Sequence, residues 1–323
     1  MELAEAYYQQ AGYAMLQLKY EKAKKLYEAA VELQPNNTIY LNETGYVNRT
    51  LGKYSVAKEY YAKALELDKL AHGENHPNIA RFYNNLGAVS HLLGNYLVAK
   101  EYYEKALAID KSIHGENDKT VAIRYNNLGS VTQSMGDYSS AKIYYEKALA
   151  IDKSIYGDNH TKIGIRYNNL GSVIKAIGHY PLAKEYFEKA LVIDKSIYGE
   201  NHPKIAVDYN NLGAITQSMG DYSQAKEYYA KALAIDKSIH GETHPKIATR
   251  YNNLGAVAKA IGDYSQAKEY YEEALAIDKL FHGENHPSIA IRYSNLGSVT
   301  IAIGDYLTAK EYYEKAFLLD NIF

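Results

Sequence analysis

Tyr83, Tyr125, Tyr167, Tyr209, Tyr251 and Tyr293 each open a Tyr-(Asn/Ser)-Asn-Leu-Gly string, and each lies 42 residues after the one before. Self-similarity at a fixed period marks a repeat array: no copy can bury its apolar face alone, and stacked neighbours share a core. The same period bears on function. "ENHPKIAVDYNNLGAI", residues 200–215, holds a His, a Pro and two adjacent asparagines and could pass for an active-site string, but near-copies of it recur along the chain. One catalytic centre does not recur at every period.

Each period reads as two helices. Ile205, Tyr209, Leu212 and Ile215 recur at steps of three or four, as do Tyr222, Ala225, Tyr229, Ala232 and Ile235, so each set shares one helix face. Gly220-Asp221 separates the two patterns. Gly73, Gly115, Gly157, Gly199, Gly241 and Gly283 follow the second pattern, which predicts a left-handed C-terminal cap at each. Asn75, Asn117, Asn159, Asn201, Thr243 and Asn285 come next and are expected to cap the following helix, with Pro77, Pro203, Pro245 and Pro287 in its first turn. The "ENHP" string is therefore punctuation.

With the glycine of "NNLG" set as position 8, each period resembles a tetratricopeptide repeat: Tyr83 at 4, Leu86 at 7, Gly87 at 8, Gly94 at 15, Ala99 at 20, Tyr103 at 24 and Ala106 at 27. The resemblance implies an all-α, right-handed superhelical solenoid of eight helix-turn-helix repeats. These fall at 4–37, 38–79, 80–121, 122–163, 164–205, 206–247, 248–289 and 290–323, a single array across 1–323. The longer form, with its "HP..A...NNL" run, is similar to the repeats of kinesin light chains. No heptad segment accompanies it, so motor cargo transport is not implied.

Composition removes several function classes. Hydrophobic residues make up 47% of the chain, enough for a continuous core, and the net charge of -2 gives no field toward nucleic acid or an anionic membrane. There are no cysteines, and no apolar run or basic leader suggests a membrane or secretory route, so a cytoplasmic protein is expected. Nucleotide-binding, zinc-protease, nucleophile-elbow and calcium-loop motifs are missing. We expect no enzyme activity and no cofactor. His72/His76, His240/His244 and His282/His286 sit four apart, a spacing that binds metal on a helix, but Gly73, Gly241 and Gly283 interrupt each pair, so no metal is expected.

The 35 tyrosines fall mostly at fixed repeat positions, and those at 4, 17 and 24 are expected in the core. Asparagine is a poor helix-interior residue, yet Asn85, Asn127, Asn169, Asn211, Asn253 and Asn295 occupy position 6, with Asn84, Asn126, Asn168, Asn210 and Asn252 before them. The resemblance implies that position 6 hydrogen-bonds the backbone of an extended peptide in a concave groove; the same amides could instead bridge neighbouring repeats. Gln133, Lys175, Gln217 and Lys259 at position 12 are expected beside them. Arg81, Arg124, Arg166, Arg250, Arg292, Lys175 and Lys259 stand against Asp208 alone in the first helices, which predicts a mildly basic groove and an acidic peptide partner. The expected function is a protein-interaction scaffold. The alternatives are a structural array that self-associates through uncapped repeat ends, or the regulatory part of a larger protein.

Overall fold

The computed structural model describes residues 2–321, which form sixteen α-helices and no strand. The chain divides into two compact units, Met1–Gly157 and Asp158–Phe323. The first holds α1 (Glu2–Leu16), α2 (Tyr20–Leu33), α3 (Thr38–Thr50), α4 (Tyr54–His72), α5 (Pro77–Leu92), α6 (Tyr96–His114), α7 (Lys119–Ser134) and α8 (Tyr138–Tyr156). The second holds α9 (Thr161–Ile177), α10 (Tyr180–Tyr198), α11 (Pro203–Ser218), α12 (Tyr222–His240), α13 (Pro245–Ala260), α14 (Tyr264–His282), α15 (Pro287–Ile303) and α16 (Tyr306–Asp320). Within a unit each odd helix forms a hairpin with the even helix after it, and the even helix then packs on the next odd one. No helix among the described residues is long and apolar enough to cross a membrane.

One contact sets the spacing inside every hairpin. The ring of Tyr229, from α12, lies so close over Gly213, in α11, that a methyl group there would sit 2.6 Å from a ring carbon; Gly129 meets Tyr145 and Gly255 meets Tyr271 in the same way, at 2.7 Å. Ala225 and Ala232 flank that ring with no exposed surface, and Leu212 and Ile215 complete the layer. Between hairpins, Ile174, Ala183 and Phe187 pack on Ile205, Tyr209 and Leu212. Tyrosine at position 4 also stacks on a second-helix tyrosine, as Tyr209 does on Tyr228 with ring centroids 6.0 Å apart. Position 17 departs from expectation: Tyr96 and Tyr138 remain 36% and 37% exposed, because they begin the second helix where the first has already ended.

The repeat junctions differ from the sequence reading in two respects. Gly73 has φ 77° and ψ -179°, and Gly115, Gly157, Gly199, Gly241 and Gly283 are alike. This is extended backbone on the positive-φ side rather than a left-handed helical cap, and it is open essentially to glycine alone. The helix-capping residue is also one place later than predicted. His76, His202 and His244 accept the N–H of Asn78, Lys204 and Lys246 through Nδ1, while Asp118 accepts that of Thr120. The preceding asparagines serve a different bond: Asn75, Asn159 and Asn201 accept the hydroxyls of Ser112, Ser196 and Ser238 from the second helix of the following repeat.

Placing a methyl at Gly213 costs about 1–3 kcal/mol of overpacking, against at most about 1 kcal/mol gained from helix propensity. Gly213→Ala is therefore expected to lower the urea midpoint. Gly12→Ala, whose added methyl meets nothing within 4 Å, should leave it unchanged or raise it. Equal shifts for the two variants would contradict the close-approach account.

Candidate functional site

The asparagines predicted to face a ligand are half-buried on the face that successive first helices share. They bond to one another across repeats. In the first unit Asn85 Nδ2 donates to Asn42 Oδ1 (3.0 Å) and Asn127 Nδ2 to Asn84 Oδ1 (2.7 Å). In the second, Asn211 donates to Asn168 (3.1 Å), Asn253 to Asn210 (2.8 Å) and Asn295 to Asn252 (2.7 Å). Each bond joins position 6 of one repeat to position 5 of the one before. Asn126 and Asn169 occupy the same positions and are likewise half-buried. An amide carries two N–H donors and an oxygen with two lone pairs, so a rung bond leaves part of each group's capacity for another partner.

The position-12 residues also make specific bonds. Gln133 and Gln217 accept the phenol O–H of Tyr145 (3.2 Å) and Tyr229 (3.0 Å), tying the floor of the face to the core ring. Lys259 Nζ donates to Ser298 Oγ, one hairpin onward. Lys175 lines a cavity in the second unit together with Asn168, Asn169 and Asn211, so four of the predicted residues converge there.

The arginines do not contribute to that surface. Arg124 Nε donates to Asp110 Oδ2 (2.8 Å), Arg250 to Asp236 (2.9 Å) and Arg292 to Asp278 (3.0 Å), each pair 14 residues apart and buried. Arg166 is 5% exposed at the same repeat position. These side chains clamp a second helix to the next first helix, and their charges are spent inside the protein. The basic surface inferred from sequence loses most of its arginines for this reason. The pattern was visible as Asp at i and Arg at i+14, but it was not read.

Two repeats lack the clamp. Phe82 stands where arginine is expected after Asp68, and Asp208 stands there after Asp194. Asp208 is 1% exposed and Asp194 2%. Burial pushes the Asp208 carboxyl up to about 7 despite the hydrogen bond it accepts from Asn168, and the negative charge of Asp194 adds to the rise. Asp194 is raised as well, chiefly by burial, with Lys204 and His202 opposing. The Asp68 site carries His72 and His76, and the ligand atoms of the three lie within 4.8 Å of one another. The two imidazoles stack at 4.4 Å and 18°, so their in-plane lone pairs run parallel instead of meeting, and His76 Nδ1 is already taken by the Asn78 N–H. That arrangement suits ring packing better than metal ligation.

Arg250→Ala leaves Asp236 buried without its counter-ion and is expected to cost about 3–5 kcal/mol, read as a lower urea midpoint. The Asp208 carboxyl should act in the opposite sense. Its folded pKa lies above the unfolded value, so the folded state holds the extra proton; stability is full at acid pH and is lost as pH rises from about 4 through about 7. Asp208→Asn, equal in shape and without the titration, should flatten that part of the melting-temperature profile. Parallel profiles for the two proteins would refute the assignment.

A comparison with curated proteins returns no match. Among solved structures, BtubC (BKLC) from P. vanneervenii is 24% identical, with 71% of this chain and 91% of that chain covered and a TM-score of 0.61. A Podosopora anserina chain of kinesin light chain type, with nearly identical TPR-like repeats, is 21% identical at a TM-score of 0.57, with coverages of 64% and 98%. The apo form of the quorum sensor NprR from B. thuringiensis is 16% identical at a TM-score of 0.75, with coverages of 98% and 87%. At these identities the likeness is one of fold. One tetratricopeptide-repeat family model matches residues 36–112, 78–154, 120–196, 163–238, 209–280 and 251–317, and a second matches 4–37. Hairpins, glycine-on-ring contacts and these matches agree: the chain belongs to the tetratricopeptide repeat family.

Proposed function

We propose that this protein is an interaction scaffold in the cytoplasm, its repeats acting as one array, and that it holds an extended segment of a partner protein along the face lined by Asn85, Asn127, Asn169, Asn211, Asn253 and Asn295. Tetratricopeptide repeats generally mediate protein–protein interactions, and their fold is typically a non-enzymatic scaffold. The observation that carries the reading is the rung bond. Asn127 on Asn84, or Asn253 on Asn210, is held in one orientation before any partner arrives, so little side-chain entropy remains to be lost on binding. A peptide backbone presents alternating donors and acceptors, and an amide answers either without the desolvation cost of a charge. Lys175 and Lys259 supply the preference for acidic side chains, since the clamped arginines are buried.

Selection of a random peptide display library against the intact chain tests this, run in parallel on a variant carrying Asn127→Ala, Asn169→Ala and Asn211→Ala. The expected result is an acidic motif enriched on the parent and lost on the variant while its helical circular dichroism persists. Enrichment indifferent to the substitutions would overturn the reading.

A further inference from the structure

The repeats serve as controls for one another, and one junction stands apart. After Asp110, Asp236 and Asp278 an arginine reaches back to the carboxylate; after Asp194 the chain supplies Asp208. Two buried carboxyls then face a place that elsewhere holds a guanidinium. Three neighbouring changes accompany this one. Gly164 replaces the alanine found at Ala122, Ala206, Ala248 and Ala290, and a methyl there would lie 2.7 Å from Asp194 Oδ1, so glycine makes room for the carboxylate. Phe187 replaces the tyrosine of position 24, and Lys175 stands where Gln133 and Gln217 accept that tyrosine's hydroxyl in other repeats. All four changed residues belong to α9, α10 and α11, and Lys175, Phe187, Asp194 and Asp208 line one cavity of about 430 Å³. Asp208 Oδ2 and Asp194 Oδ1 are buried there without a hydrogen-bond partner, whereas Asp208 Oδ1 accepts from Asn168 (2.7 Å).

We propose that this cavity is a receptor for one arginine side chain of the bound segment, whose guanidinium enters between α9 and α11 and takes the place of the missing internal arginine. The proposal rests on the reading of the asparagine face as the binding surface, since Asn168, Asn169 and Asn211 form the same wall. A guanidinium suits the pair better than an ammonium because its planar fork can donate to two carboxylates at once. Empty, the pair cannot hold two charges and keeps a proton; filled, it ionises fully, so arginine entry releases that proton. The groups facing the pair from every side are Asn168, Lys175, Lys204 and His202. Lys204 Nζ is engaged with Tyr198 OH (3.0 Å) and lies 4.7 Å over that ring, and His202 Nδ1 accepts the Lys204 N–H. Lys175 remains to meet an acidic neighbour of the arginine, so a segment of mixed charge satisfies both this cavity and the lysine preference above.

Calorimetric titration of the intact protein with N-acetyl-arginine methylamide, and with its neutral citrulline counterpart, tests the cavity apart from any peptide. Saturable binding of the arginine amide is expected, about tenfold or more tighter than citrulline, and about tenfold weaker at about pH 5 than at about pH 8, where the pair gives up its proton. Gly164→Ala with Asp208→Arg rebuilds the internal clamp; it should keep or raise the melting temperature and abolish binding. Asp208→Asn should weaken binding without unfolding. Equal binding of citrulline, binding that survives the rebuilt clamp, or a site that takes calcium and not the arginine amide would each overturn the proposal. Failure of the peptide selection with arginine binding intact would instead count against the asparagine face, and enriched peptides without arginine would count against the cavity alone.

Discussion

Everything in this molecule depends on how closely two helices can approach, and that distance is set by a bare Cα under an aromatic ring. Gly213 under Tyr229, like Gly129 under Tyr145 and Gly255 under Tyr271, brings the first and second helices of a hairpin into contact without an intervening side chain. Alanines at Ala225 and Ala232 keep the rest of the seam equally thin. With the hairpin fixed, the apolar residues left over on its second helix, such as Ile235 on α12, have only the next hairpin to pack on.

The polar groups then set the register between neighbours. An asparagine rung on one side and an Asp–Arg clamp on the other hold successive first helices within a unit, and both place polar atoms where a slip would leave them buried and unpaired. Burying a pair of opposite charges contributes little net stability, but breaking one is costly, so the clamp chiefly penalises misalignment. The same reasoning explains why the amides are tolerated in helix interiors: their intrinsic cost is offset by bonds that exist only in the correct stack.

The period, the paired helices and the core positions were all legible in the sequence, because hydrophobic spacing at three and four residues reports burial directly. Asn210 and Asn253 were recognisable as unusual, but their partnership was not, since it requires one repeat laid over the next; the signal available was a separation of one period plus one residue. His76 and Asn75 were exchanged as caps because both side chains accept hydrogen bonds and stand next to each other before Pro77. The arginine clamps went unread for a different reason. A charge on a helix face was credited to solvent, whereas Arg250 lies beneath the surface against a carboxylate 14 residues earlier. Asp208, the sole acid in its set, was counted as a minor subtraction and proved to be the residue that distinguishes its repeat.

The asparagine rungs are the same at every junction where they are found, so the array can change its length without being redesigned. Recombination between repeats that removes or adds one 42-residue period recreates the rung and the clamp at the new seam. The junction of Asp194 with Asp208 is the exception. A crossover between those residues would put Asp194 against an arginine from another repeat, closing the cavity, and would leave Asp208 opposite a carboxylate that has lost the room Gly164 provides. Copy number is free to drift in this protein, but the order of its repeats is constrained at that one seam.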